Sequence, residues 1–310
     1  MNTLYCRERG THRLALAAAL LLPALSLPAL AGMRPFSAQK PADPTGTVEV
    51  VNVEGEIEIS GWDQPTVEVT GSIGDKVERV DVTSAANRTT VRVVLPAGNH
   101  TSMHDDYEAQ LKIRVPQKSA LEVSLVSADL RVSGVSGNQR LQTVSGDISG
   151  DGGSGDLQVS TVSGDVQMVA HHGRNAQLKT VSGDLKVSGT GGEVQLNSVS
   201  GDANLTLDSV TRAHLETVSG DVNVTASALA ANGQIAADSV SGDVNLHVAA
   251  VPDADIDVQS FSGDIRNCSG PKPVEEQYGP GSRLSYRSGK GGGRIHVATK
   301  SGDVTICTSK

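Results

Sequence analysis

The chain has 310 residues, 37% hydrophobic and 20% charged, with 34 Gly, 12 Pro, 3 Cys and a formal net charge of −9. The apolar fraction is low for a compact globule but too high for a disordered chain, and the Pro and Cys counts exclude a collagen and a disulfide-dense mini-protein. With aromatics at 2% and acid in excess, the chain has neither stacking platforms nor a basic patch, so a nucleic-acid partner is not expected.

Residues 1–31 read as a signal peptide. Arg7, Arg9 and Arg13 form a basic start, residues 14–22 an apolar run, and Ala29-Leu30-Ala31 a small-x-small cleavage pattern before Gly32. The run is well short of the roughly 20 residues that span a bilayer. The mature protein is therefore expected in the periplasm, or secreted and on the cell surface, with no membrane span after cleavage; Cys6 leaves with the leader. Residues 32–45, rich in Pro, Ala and polar residues, read as a linker. Residues 46–125 read as an N-terminal β portion that caps the solenoid. Val48, Val50, Ile57, Ile59, Val67 and Val69 alternate there, with further candidate strands at 77–83, 90–95, 109–115 and 121–125 and a polar loop at 99–107.

Residues 126–310 carry a repeat. Ser-Gly-Asp begins at Ser145, Ser163, Ser182, Ser200, Ser219, Ser241, Ser262 and Ser301, with spacings of 18, 19, 18, 19, 22, 21 and 39. Ser127-Ala128-Asp129 is a degenerate earlier copy, and Val53-Glu54-Gly55-Glu56 is an echo of it. One residue past each Asp the chain is apolar (Ile148, Val166, Leu185, Ala203, Val222, Val244, Ile265, Val304), and the next residue is polar. Four residues before each Ser it is apolar again, and two before it is always Thr or Ser. This is the period of a strand with one buried face. Gly serves the turn, and Asp can accept a backbone N–H near its own turn. A unit this small must stack to bury its apolar face. The expected fold is all-β: a parallel β-solenoid, or β-helix, right-handed, with about 18–22 residues per coil. Its interior is filled by Val, Leu and Ile, which leaves the outer faces, loops and ends for function.

The gap between Ser262 and Ser301 reads as one coil with an insertion at 269–293. Cys268 and Cys307 each stand four residues past the Asp of their triplet. On adjacent coils their Cα atoms would lie about 4.8 Å apart, within disulfide range. An exported chain with two remaining Cys is expected to pair them.

Several stretches together resemble a known group: Gly46-Thr47-Val48-Glu49-Val50, Gly61-Trp62-Asp63, Leu111-Lys112-Ile113-Arg114-Val115-Pro116, the Val-Ser-Gly-Asp repeats, and Gly291-Gly292-Gly293-Arg294-Ile295-His296-Val297 running into Ser301-Gly302-Asp303. The chain is similar to the bacterial "putative adhesin" family of β-strand-repeat envelope proteins over residues 46–310. The resemblance implies a β-helical fold, an envelope location and no established catalytic residues. Lys300, where most copies carry Val, departs from the pattern and bears on the packing of the last turn.

Asp147, Asp165, Asp184, Asp202, Asp221, Asp243 and Asp264 form the column with the clearest chemistry. Stacked carboxylates could take Ca²⁺. Neighbours about 4.8 Å apart repel by about 0.9 kcal/mol in water, whereas a charge-assisted bond to a turn N–H returns roughly 1.5–3 kcal/mol. Turn capping therefore sustains the column without a cofactor. His100, His104, Asp105 and Asp106 read as a loop cluster, His171-His172 as a return loop, and Gly289-Lys290-Gly291-Gly292-Gly293 as a flexible turn. The expected function is non-catalytic: an adhesin-like binding or structural element of the cell envelope, monomeric, with an envelope protein or glycan as partner and the Thr/Ser column as a polar ladder towards it. A β-helix carbohydrate-active enzyme and a self-assembling scaffold are the alternatives.

Overall fold

Alternation with period two lays down each repeat as two strands joined at Ser-Gly-Asp, and each lap pairs in parallel with its neighbour in equal register. The computed structural model describes residues 33–96, 107–249, 253–275 and 281–308. The leader of 1–31 and most of the 99–107 loop, with His100, His104, Asp105 and Asp106, lie outside them. No helix occurs among the described residues.

The N-terminal strands are β1 (Met33–Pro41), β2 (Thr47–Trp62), β3 (Thr66–Gly74), β4 (Arg79–Ala85), β5 (Arg88–Val94), β6 (Ala109–Pro116) and β7 (Ala120–Ser133). The repeats supply β8 (Gln139–Ser145), β9 (Ile148–Gly153), β10 (Leu157–Ser163), β11 (Val166–Ser182), β12 (Leu185–Ser200), β13 (Ala203–Ser219), β14 (Val222–Ser241) and β15 (Val244–Val248). The chain continues through β16 (Ala254–Ser262), β17 (Ile265–Asn267), β18 (Val274–Glu275), β19 (Ser282–Ser288), β20 (Gly293–Ser301) and β21 (Val304–Thr308).

The triplet serines align rung on rung, from Ser127 with Ser145 through Ser163, Ser182, Ser200 and Ser219 to Ser241. This is the parallel β-solenoid expected from the repeat. Spacing differences are absorbed away from the triplet, in the return turn. The longest lap, for example, shifts register between Val210 and Arg212, opposite the left-handed Asn232 (φ 59°). Along the interior, Leu141, Val159, Leu178, Leu196 and Leu215 are 0–1% exposed.

The two ends of the stack break sequence order. The lap of β20 and β21, last in the chain, pairs on one side with β14 and β15 and on the other with β16 and β17. The Ser301 triplet thus sits between those of Ser241 and Ser262. At the other end β2, the first lap, lies between β7 and the pair β5 and β6, although β5 and β6 come later in the chain. The echo at Glu54-Gly55-Glu56 falls in register with Ser127-Ala128-Asp129. Both of these laps are hydrogen-bonded on two sides, so neither presents an open edge.

Antiparallel strands close the outer laps. β3 pairs with β6, β1 with β3, β4 with β5, and β19 with β16. These strands cover the outer laps with backbone that lacks the repeat, which blunts edge-to-edge growth. Two segments differ from the sequence expectation. Residues 33–41, read as linker, are strand β1, because their alternating residues find an unpaired edge on β3. The insertion at 269–293 does not simply loop out; it contributes β18 and β19 to the end cap.

Candidate interaction face

At each triplet the Gly allows the laps to approach closely. Gly201 has φ +116°, and a Cβ on it would lie 2.3 Å from the carbonyl oxygen of Gly183 on the lap below. The same contact recurs along the column.

The Asp column is a hydrogen-bonded ladder, and its geometry corrects the expected capping pattern. Each carboxylate except that of Asp264, on the end rung, accepts not from its own turn but from the backbone N–H of the Asp on the next lap. Asp147 N–H donates to Asp129 Oδ1, Asp165 to Asp147, Asp184 to Asp165, Asp202 to Asp184 and Asp221 to Asp202, each at 2.9 Å. Asp243 N–H donates to Asp221 at 2.9 Å, then Asp303 to Asp243 and Asp264 to Asp303 at 2.8 Å. The ladder follows the spatial order of laps through the exchange at the end. An N–H that has lost its in-turn carbonyl is thereby satisfied by a charged acceptor. Asp184→Ala is expected to remove one such bond and cost about 1.5–3 kcal/mol in urea unfolding; Asp184→Asn, which keeps an acceptor oxygen, is expected to recover most of it.

The Thr/Ser column does not face a partner. Thr143, Thr161, Thr180, Ser198, Thr217, Ser239, Ser260 and Thr299 are only 3–6% exposed. They share inward parity with Leu141 and its equivalents. Ser239 Oγ donates to the Gly242 carbonyl at 3.3 Å, and Ser260 Oγ to that of Gly302 at 3.1 Å. The residue between Thr and the triplet Ser therefore points outwards. This gives a line of exposed apolar side chains: Val126, Val144, Val162, Val181, Val199, Val218 and Val240, at 43–48%, with Phe261 at 67%. In spatial order Lys300 stands between Val240 and Phe261. The position is a solvent-facing one, so Lys there costs no packing. The parity of the repeat contained this signal, since the Val lies an odd number of residues from the buried Leu.

Beside the line runs an open groove of about 770 Å³, walled by Val162, Val181, Val199, Val218 and Val240 and by Lys179, Asn197, Glu216 and Asp238. The opposite corner holds a second hollow of about 520 Å³ near Asn138, Asp156 and Asn175. There Asn138 Oδ1 accepts the Asp156 N–H at 3.0 Å and Asn175 Nδ2 donates to Asp156 at 2.9 Å, so the polar groups hold turns together.

At the end cap, Arg287 Nε donates to Asp255 Oδ1 at 2.6 Å and holds that carboxyl below its usual range. Burial raises Tyr286 above its ordinary value. Arg283 pairs with Asp257 at 3.3 Å. Cys268 and Cys307 form a disulfide across neighbouring laps, with Cα atoms 4.8 Å apart. Among the described residues no group of three or more His, Cys, Asp and Glu is arranged to hold a metal. The side chains of His171 and His172 lie outside that description.

One family model, Toastrack DUF4097, matches residues 47–307, the span of the stacked laps from β2 to β21. The chain belongs to the Toastrack DUF4097 family. Among curated proteins none matches it. Solved structures that resemble it include a "putative cell adhesion protein" from Clostridium sporogenes, at 10% identity and TM-score 0.26, covering 89% of this chain and 100% of that one. A "putative lipid binding protein" from Parabacteroides distasonis shows 13% identity and TM-score 0.38, covering 89% and 97%. A "putative adhesin" from Bacteroides fragilis shows 13% identity and TM-score 0.30, with the same coverage. At these scores the likeness carries no function across to this Toastrack chain. No helix among its described residues is long and apolar enough to cross a membrane.

Proposed function

We propose that this protein is an exported, non-catalytic binding or structural element of the bacterial cell envelope, periplasmic or at the cell surface. Its contact with an envelope protein or glycan is made through the Val face. The observation that carries this reading is the unbroken apolar line from Val126 to Val240 on a rigid stack. A contiguous exposed apolar strip of this kind marks an interaction site on a soluble protein. One oxygen of each Asp carboxylate from Asp147 to Asp243 is engaged in a lap-to-lap bond, and the reading calls for no catalytic group and no cofactor.

Co-sedimentation of the chain from Gly32 onwards with bacterial envelope fragments tests it. Retention is expected, unchanged by EDTA and lost in Val181→Glu/Val218→Glu. Equal retention of that variant would remove the Val face from the function. Loss of retention in EDTA would bring cation binding by the Asp column back into it.

A further inference from the structure

The Val line occupies nine successive laps, from Val126 at one end to Phe261 at the other, with Val199 on the central rung. At a lap spacing of about 4.8 Å the face is about 38 Å long, and seven extended residues make it about 20 Å wide. That is about 800 Å², the area each partner buries in a standard stable interface.

The column flanking the Val carries three charges, Lys179, Glu216 and Asp238, on either side of the central Asn197. In the column flanking the Val, Lys179 stands one rung before the centre and Glu216 one rung after it. Lys179 forms no ion pair among the described residues. On its own chain it is two laps from Glu216, about 9.6 Å, and the two form no ion pair. Among the described residues Glu216 pairs only with the half-buried His214, at 3.0 Å.

We propose that this face binds a second copy of the chain, antiparallel and face to face, about a two-fold axis at Val199. The proposal rests on the reading that the Val face is a contact surface and puts a second copy there, in competition with the envelope protein or glycan. The rotation sets Val199 on the partner's Val199, Val181 on the partner's Val218, and Val162 on the partner's Val240. It also brings Lys179 to the partner's Glu216, twice. Lys300 falls near the rim, where its amine reaches water. At the far ends Glu122 meets the partner's Asp257, and both are already neutralised, by Arg88 and by Arg283 on their own chains. Identical ladders of branched side chains facing each other pack as a dry zipper, and the two-fold closes the assembly at two copies. The monomer expected from the sequence considered the capped ends of the stack; this face is its side, which the caps leave open.

Sedimentation equilibrium of the chain from Gly32 onwards, across a concentration series, tests the pairing. A dimer is expected, with Lys179→Glu and Glu216→Lys each weakening it by about tenfold and the double exchange restoring it. Val199→Glu is expected to give a monomer. All three substituted residues are exposed, and the far-UV circular dichroism spectrum is expected to stay unchanged. A monomer at every concentration, an open-ended series of masses, or a double exchange no better than the single ones overturns the proposal. A monomer still retained on envelope fragments defeats the pairing alone, a monomer that is not retained defeats the Val face as a contact surface altogether, and a dimer whose retention survives Val181→Glu/Val218→Glu puts the envelope contact elsewhere on the chain.

Discussion

Gly201→Ala is expected to destabilise the protein by about 3 kcal/mol or more, since two independent costs meet at one atom. The backbone there has φ +116°, which L side chains rarely adopt, and a new methyl would stand 2.3 Å from the Gly183 carbonyl oxygen. The strained dihedral alone costs about 1–3 kcal/mol. Relieving the contact requires the two laps to separate, which disturbs the Asp202-to-Asp184 bond one residue away. Gly173→Ala is the control. It carries no left-handed φ, and its closest backbone contact is 3.2 Å. Urea unfolding of both variants should separate them clearly; equal losses would mean that the turn column tolerates a side chain and that Gly is not what fixes the lap spacing. Ala128, on the degenerate rung, is compatible with this account because it is not among the residues with positive φ.

Removal of the disulfide, in Cys268→Ser/Cys307→Ser, is the second large effect. The bond joins residues separated by 39 in sequence, and loop closure of that length is worth about 4 kcal/mol on the chain-entropy account. In a stack where each lap touches only its neighbours, the loss should stay near the lesion. Hydrogen exchange is therefore expected to rise across β16, β17, β20 and β21 and to stay unchanged in β8 to β12. Among the described residues the short strand β17 pairs only with β21, and just past it the Cys268 N–H donates to the Ile306 carbonyl and Ser269 Oγ to that of Thr308, so the disulfide reinforces an end otherwise held by a few hydrogen bonds. Uniform exchange in the variant and the parent would show that end to be held by strand pairing alone.

The two predictions probe different levels of the same design. Gly201 concerns how one lap lies on the next, and that was legible in the sequence as a triplet recurring at fixed offsets. The buried Leu and Val columns, the parallel pairing and the adjacency of the two Cys followed from the same periodicity. The direction of the Thr/Ser column was legible too, but only through parity: Thr143 lies two residues from Leu141 and must share its inward face, and Val144 must then face out. Reading the column by its polarity instead of its parity turns the face inside out: the hydroxyls of Thr217, Ser239 and Ser260 reach backbone carbonyls, whereas those of Thr143, Thr161, Thr180, Ser198 and Thr299 are buried without a partner among the described residues.

The order of laps was not legible. Each Ser-Gly-Asp lap offers the same backbone groups and the same side chains to either neighbour, so local chemistry does not say whether the Ser301 lap lies above or below that of Ser262. The tertiary structure decided this, and it placed the last lap inside the stack and the first lap, β2, inside the other end. There each gains hydrogen bonds on two sides, while antiparallel strands from β1, β3, β4 and β19 cover what would otherwise be open edges. Composition and period determined the rung and its register; only the folded chain, in which terminal edges must be covered, determined the sequence of rungs and where Lys179 and Glu216 stand about Val199.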